Sequence, residues 1–151
     1  MNTTSILLIA NETLGGRALR QLVQERLDSA PCRFHVVVPA VRLEGVMQRS
    51  IDAYGGGRDE IERRADRTAA EPRLAEELDW LRSLGAQADG EIGDADPLVA
   101  VETVLRERDF DEIVLSTLPP GMSHWLHLDL PHRMERALGR SVTHVEGPSA
   151  P

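Results

Sequence analysis

Short runs of consecutive apolar residues, each closed by polar or turn-forming ones, recur along the chain: SILLIA at 5–10, FHVVV at 34–38 and EIVL at 112–115. Such runs predict strands covered on both faces, as in the middle of a parallel sheet. Two further strands are expected, SVTHV at 141–145 and the weaker AQADGEI at 86–92, which is recognised mainly by its neighbours. Between these runs the apolar spacing changes to threes and fours, the period of a helix. Leu19, Leu22, Val23 and Leu27 mark a helix over 15–27, and Leu74, Leu78 and Leu81 mark one that stops at Gly85. Leu98, Val101, Val104 and Leu105 follow Asp96-Pro97, a capping carboxylate with proline at the first helical position. Leu130, Met134 and Leu138 share a face between Asp129, read as a cap, and Gly139, read as the stop.

Two stretches are less regular. Residues 41–57 end in Tyr54-Gly55-Gly56-Gly57 and predict a mobile loop, because consecutive glycines hold a fixed backbone only at high entropic cost. From Asp59 a charged run predicts a helix in which Pro72 is an internal break or a fresh start. The resulting order, βαβαβαβαβ, predicts an α/β fold: a five-stranded, doubly wound parallel sheet with helices on both faces. One domain over 1–147 and a tail at 148–151 account for the whole length of 151 residues.

Composition removes several functions. With two Trp, two Phe and one Tyr the chain has little surface on which bases could stack, and a net charge of −8 opposes a phosphate backbone. Nucleic-acid binding is therefore not expected. All 17 basic residues are Arg, which excludes a P-loop lysine or a Schiff base. Cys32 is the only cysteine: it forms no intrachain disulfide and is read as a buried, inert thiol. No apolar run reaches membrane-spanning length and the N-terminus lacks a basic leader, so no membrane association and a cytoplasmic location are expected.

Each doubly wound family makes its own chemical demand. After the first strand the chain reads NETLGGR, with glycines only at 15 and 16, which is not the dinucleotide-binding GxGxxG. A receiver domain needs an acidic pair there and a lysine near its end; Glu12 stands alone and lysine is absent. The segment GEIGDADPLVAVETVLRERDFDEIVLS, with Asp109, Asp111 and Glu112 before its strand, and the final SVTHVE resemble the universal stress protein family, and the resemblance covers nearly the whole chain. It implies the adenine-nucleotide alpha-hydrolase-like architecture and a regulatory or stress-associated module rather than an enzyme. It also implies a homodimer formed through the last strand, here Val142, His144 and Val145. If His144 faced its own copy across the two-fold, dimerisation would respond to pH.

ATP-binding members of that family carry glycine, two residues, glycine, nine residues, then glycine and a serine or threonine, where strand four ends. Here Ser116, Pro119, Asp129 and Leu130 fall at those positions. The family's aspartate after strand one corresponds to Asn11 or Ala10. Proline removes an amide that would face a phosphate, and a carboxylate at the helix start would satisfy its open amides and repel a second anion. The resemblance therefore implies a ligand region of Ala10, Asn11, Val38, Ser116, Thr117, Gly121, Ser123, Asp129 and Arg133 without ATP bound in the usual way, and no cofactor is expected. The alternatives are an adenine nucleotide, ATP or another, in an altered pocket, or a slow nucleotide or phosphoester hydrolase. An unidentified protein partner or small ligand completes the expectation.

Other groupings are read plainly. His124, His127, Asp129 and His132 have zinc-binding atoms, but capping and solvated roles suit the spacing better and no metal is expected. Ser123 lacks the G-x-S-x-G setting of a nucleophile and is read as a turn or helix cap. Trp125 is expected to pack its loop onto the sheet, and Trp80 to lie in the core or an interface.

Overall fold

The computed structural model describes residues 3–11, 13–40, 58–119, 123–127 and 129–147, with the backbone alone for 58–69, 124 and 127. The elements are β1 (Thr4–Ile9), α1 (Arg17–Ser29), β2 (Cys32–Pro39), α2 (Arg58–Ser83), β3 (Gln87–Gly93), α3 (Pro97–Leu105), β4 (Glu112–Thr117), α4 (His124–His127), α5 (Leu130–Leu138) and β5 (Thr143–Glu146). The strands form one five-stranded sheet in the order β3-β2-β1-β4-β5, and every pairing is parallel. This is the doubly wound α/β sheet that the apolar runs predict. The expected loop at 41–57 and the tail at 148–151 lie outside the described residues.

Alternation along the strands divides the core between two faces. Ile6, Leu8, Phe34, Val36, Val38 and Val114 pack with α1 and α2 through Leu19, Val23, Ala70 and Leu81. Leu7, Ile9, Val37, Ile113 and Leu115 pack with α3 and α5 through Val101, Val104, Leu130 and Met134. Two glycines of β3 let helices approach closely. A Cβ on Gly90 would lie 2.6 Å from the Val36 carbonyl oxygen and 2.7 Å from Leu74 Cδ1, and one on Gly93 would lie 2.8 Å from Ala100 Cβ.

The helix ends follow their local chemistry with one correction. Asp96 caps α3 as expected, its Oδ1 accepting from the Leu98 amide at 2.9 Å. Gly139 closes α5 in the left-handed conformation, φ 65°. Asp129 precedes α5 but caps nothing with its side chain. It is itself left-handed, φ 56°, which turns its carboxylate away from the first-turn amides and onto His132 Nδ1 at 2.9 Å. Pro72 neither breaks α2 nor starts it afresh: the helix runs unbroken from Arg58 to Ser83, with Pro72 exposed and the buried anchors Ala70 and Leu81 on either side.

Candidate functional site

β1 neighbours β2 on one side and β4 on the other, so the chain leaves the sheet in opposite directions at the carboxyl ends of β1 and β4. Ligands of open α/β sheets are met at such a crevice. Four of the expected ligand residues come together here, all buried: Ala10 and Asn11 after β1, Val38 in β2 and Ser116 in β4.

Their polar groups are already committed to one another. Asn11 Nδ2 donates to the Pro39 carbonyl at 2.8 Å, and Asn11 Oδ1 accepts from Arg73 Nη1. The first bond joins the exits of β1 and β2; the second draws a guanidinium from α2 over them. Thr13 Oγ1 and Ser116 Oγ share a hydrogen bond of 2.7 Å that spans the crevice between the β1 loop and β4. Both residues are nearly inaccessible, at 3% and 2% exposure. Since a pair of hydroxyls uses one proton for their mutual bond, one O–H remains available as a donor.

Four of the other expected residues are engaged in bonds of their own. Thr117 follows Ser116 and so points to the opposite face of the sheet, where its Oγ1 pairs with His144 Nε2 at 2.8 Å. Ser123 caps α4 as expected: its Oγ accepts from the Leu126 amide at 3.1 Å. Asp129 is exposed and paired with His132, while the Arg133 amide donates to the Asp129 carbonyl at 3.0 Å as the first full turn of α5. Gly121 lies outside the described residues, as do the side chains of His124 and His127. Among the described residues no three His, Cys, Asp or Glu side chains gather as metal ligands. Trp125 packs against the α3/α5 core and Trp80 against the α1/α2 core, with the Arg20 guanidinium 4.6 Å from the centre of the Trp80 ring.

At the far edge, among the described residues, β5 pairs with β4 alone. Val142 and Val145 are half-buried against the two cores, and His144 Nδ1 lies 4.0 Å from Glu146. Both ring nitrogens of His144 thus face groups of its own chain.

Arg73, Glu77 and Thr13 were not singled out from the sequence, although a signal existed. Ala70, Arg73, Glu77 and Leu81 fall three and four apart on α2, so the two charged residues share a face with two buried anchors. Glu77 is 2% exposed, and its Oε1 has no hydrogen-bond partner among the described residues. Burial pushes its carboxyl above the ordinary range, against the opposing pull of the Arg20 charge and the Gly15 amide. Cys32 is buried too, and desolvation raises its thiol, as an inert cysteine requires. At the opposite end of the sheet, Glu112 is held below its usual range by a two-pronged bond from Arg26 at 2.8 and 2.9 Å, with Thr143 adding another at 2.8 Å.

No protein-family model and no curated protein matches the chain. Among solved structures it is similar to the universal stress protein from Archaeoglobus fulgidus in complex with dAMP, with 17% sequence identity and a TM-score of 0.50. The match covers 96% of this chain and 99% of the archaeal one. At that identity the likeness establishes a shared fold. Among the described residues no helix is long and apolar enough to cross a membrane.

Proposed function

We propose that this chain is a regulatory module of the universal stress protein type, whose ligand crevice is tied shut by its own side chains. In this reading it acts through contacts with other proteins, or with a ligand other than ATP. The Thr13–Ser116 hydrogen bond carries the proposal, because it spans the crevice where a ligand of this fold would enter. The bond from Arg73 and the bond to Pro39 support it by fixing Asn11, the residue best placed to read an incoming group. The archaeal protein was solved in complex with dAMP; a nucleotide entering the crevice here would have to part these buried pairs and replace each bond.

Isothermal titration with ATP and with dAMP tests this. The expected result is no measurable heat at ligand concentrations up to about 1 mM, a dissociation constant equivalent to only about 4 kcal/mol. Micromolar affinity for either would overturn the reading.

A second reading, an adenine nucleotide in an altered pocket, draws support from Asp129. Because its carboxylate is turned onto His132, Asp129 does not cap the start of α5. The first-turn amides therefore keep some of the anion affinity that a capping carboxylate would have taken. Titration separates the two readings, and a turnover assay with nucleotide and phosphoester substrates tests the hydrolase alternative. Association through β5 belongs to the proposal as well: an edge strand whose outer backbone groups lack a partner strand among the described residues offers a second copy a ladder to extend.

A further inference from the structure

Away from the crevice, a buried histidine is held among more partners than one protonation state can satisfy. His35, on β2, is 6% exposed. Its Nε2 is 3.1 Å from Glu91 Oε1, and its Nδ1 is 3.0 Å from Asp89 Oδ1 and 2.8 Å from Arg108 Nη1. These last two contacts make opposite demands. An arginine N–H needs a bare nitrogen lone pair; a carboxylate needs that nitrogen to carry a proton. Arg108 Nη1 also donates to Asp89 Oδ2 at 3.0 Å, and its guanidinium lies 5.2 Å from the centre of the Phe110 ring.

The remaining neighbours leave this choice undisturbed. Leu7 flanks His35 from β1, α3 presents Ala100, Val101 and Val104 to this side of the sheet, and the Phe110 ring lies 6.0 Å away. Arg33, two residues back on the same strand, is engaged with Gln87 Oε1 at 3.0 Å. The groups that set the ring's state are therefore Asp89 and Glu91 from β3 and Arg108 from the α3–β4 connection.

We propose that His35 is a proton-operated switch that selects the partner of Arg108 and sets the charge on an edge of the sheet. With the ring neutral, Nε2–H donates to Glu91 and Nδ1 accepts from Arg108. On protonation, Nδ1–H donates to Asp89 Oδ1, Nε2–H stays with Glu91, and Arg108 loses the ring and keeps only Asp89 Oδ2. The four groups carry one net negative charge in the first state and none in the second. β3 is an edge strand, and the side chains of Asp89 and Glu91 are 58% and 51% exposed. The change is therefore presented at a surface where a partner could meet it. Burial alone would raise the Asp89 carboxyl, but the bond and charge from a protonated His35, together with Arg108, outweigh burial and lower it. Histidine is the side chain whose charge change ordinarily falls within the physiological range.

Nitrogen-15 NMR of the imidazole and guanidinium groups in the full chain, from about pH 5 to about pH 8, tests this. The expected record at high pH is a bare Nδ1, a protonated Nε2 and an Arg108 Nη proton protected from exchange. As pH falls, both ring nitrogens carry protons and the Arg108 protection is lost in the same transition. Asp89→Asn moves that transition to lower pH, Arg108→Gln moves it to higher pH, and His35→Gln abolishes the Arg108 response. A proton on Nδ1 at high pH would overturn the proposal. So would a ring that stays neutral across the range, Arg108 protection indifferent to the ring, or an Arg108→Gln protein whose ring titrates as in the parent.

Discussion

A carboxylate buried with one oxygen unpartnered costs the fold free energy for as long as it is ionised. Glu77 is in that position, and its raised pKa states the same fact in terms of protons. The folded state holds the Glu77 proton to higher pH than the unfolded chain does. The stabilisation from the protonated form is complete below the unfolded pKa and is lost as pH rises through the folded one. Glu77→Gln should therefore flatten the pH dependence above the ordinary glutamate range. It should also raise stability at pH 7, because the neutral amide removes a charge that burial disfavours. Urea unfolding of both proteins at pH 5 and pH 7.5 checks the slope; an unchanged slope would show that Glu77 is not its source. Little of this was legible beforehand. Leu74, Leu78 and Leu81 announce α2 through their spacing, but Glu77 becomes meaningful only when the helix is laid over Gly15 and Arg20. The same holds for Thr13 and Ser116, whose bond joins positions more than a hundred residues apart.

At the scale of elements, two aspartates that look alike from sequence behave differently. Asp96 and Asp129 each stand just before a helix that has proline in its first turn, and both read as caps. Only Asp96 adopts the extended backbone that lets its oxygen reach an amide. Asp96→Ala should cost about 1 kcal/mol. Asp129→Gly, which keeps the left-handed conformation accessible, should leave stability within about 0.5 kcal/mol of the parent. Thermal unfolding of the two variants side by side checks this; an equal loss in both would mean that Asp129 caps α5 in solution. Backbone conformation at the cap is what the sequence did not reveal. β3 was faint for a different reason: alternating Asp89 and Glu91 look like solvent-facing positions, yet they are the partners of the buried His35 on β2. The central strands were plain because both faces of each are covered, leaving an apolar run with no alternation to misread.

For the whole molecule, the edge at β5 bears on how many copies act together. β5 is short, pairs with β4 alone among the described residues and contains half-buried Val145, with half-buried Val142 just before it. If a second copy extends the sheet there, sedimentation velocity should give a dimer at micromolar concentration. Val145→Asp should then shift the population towards monomer by at least tenfold in dissociation constant, about 1.4 kcal/mol. A parent that sediments as a monomer would remove the dimer from the proposal. His144 is engaged with Thr117 and Glu146 of its own chain.

The strand order also governs how the chain comes off the ribosome. β1 is made first but lies at the centre of the sheet, between β2, which follows closely, and β4, which begins at Glu112. While the intervening residues are being synthesised, β1 can pair on one side only. Leu7, Ile9 and Val37 then wait for the cover that α3 and α5 bring last. A nascent chain ending near Gly93 would present an unpaired strand edge and a bare apolar face, both adhesive surfaces. The segments that close the crevice and cover this face are the ones that end that exposure, so truncations between β3 and β4 should be recovered mainly as aggregates or as clients of chaperones.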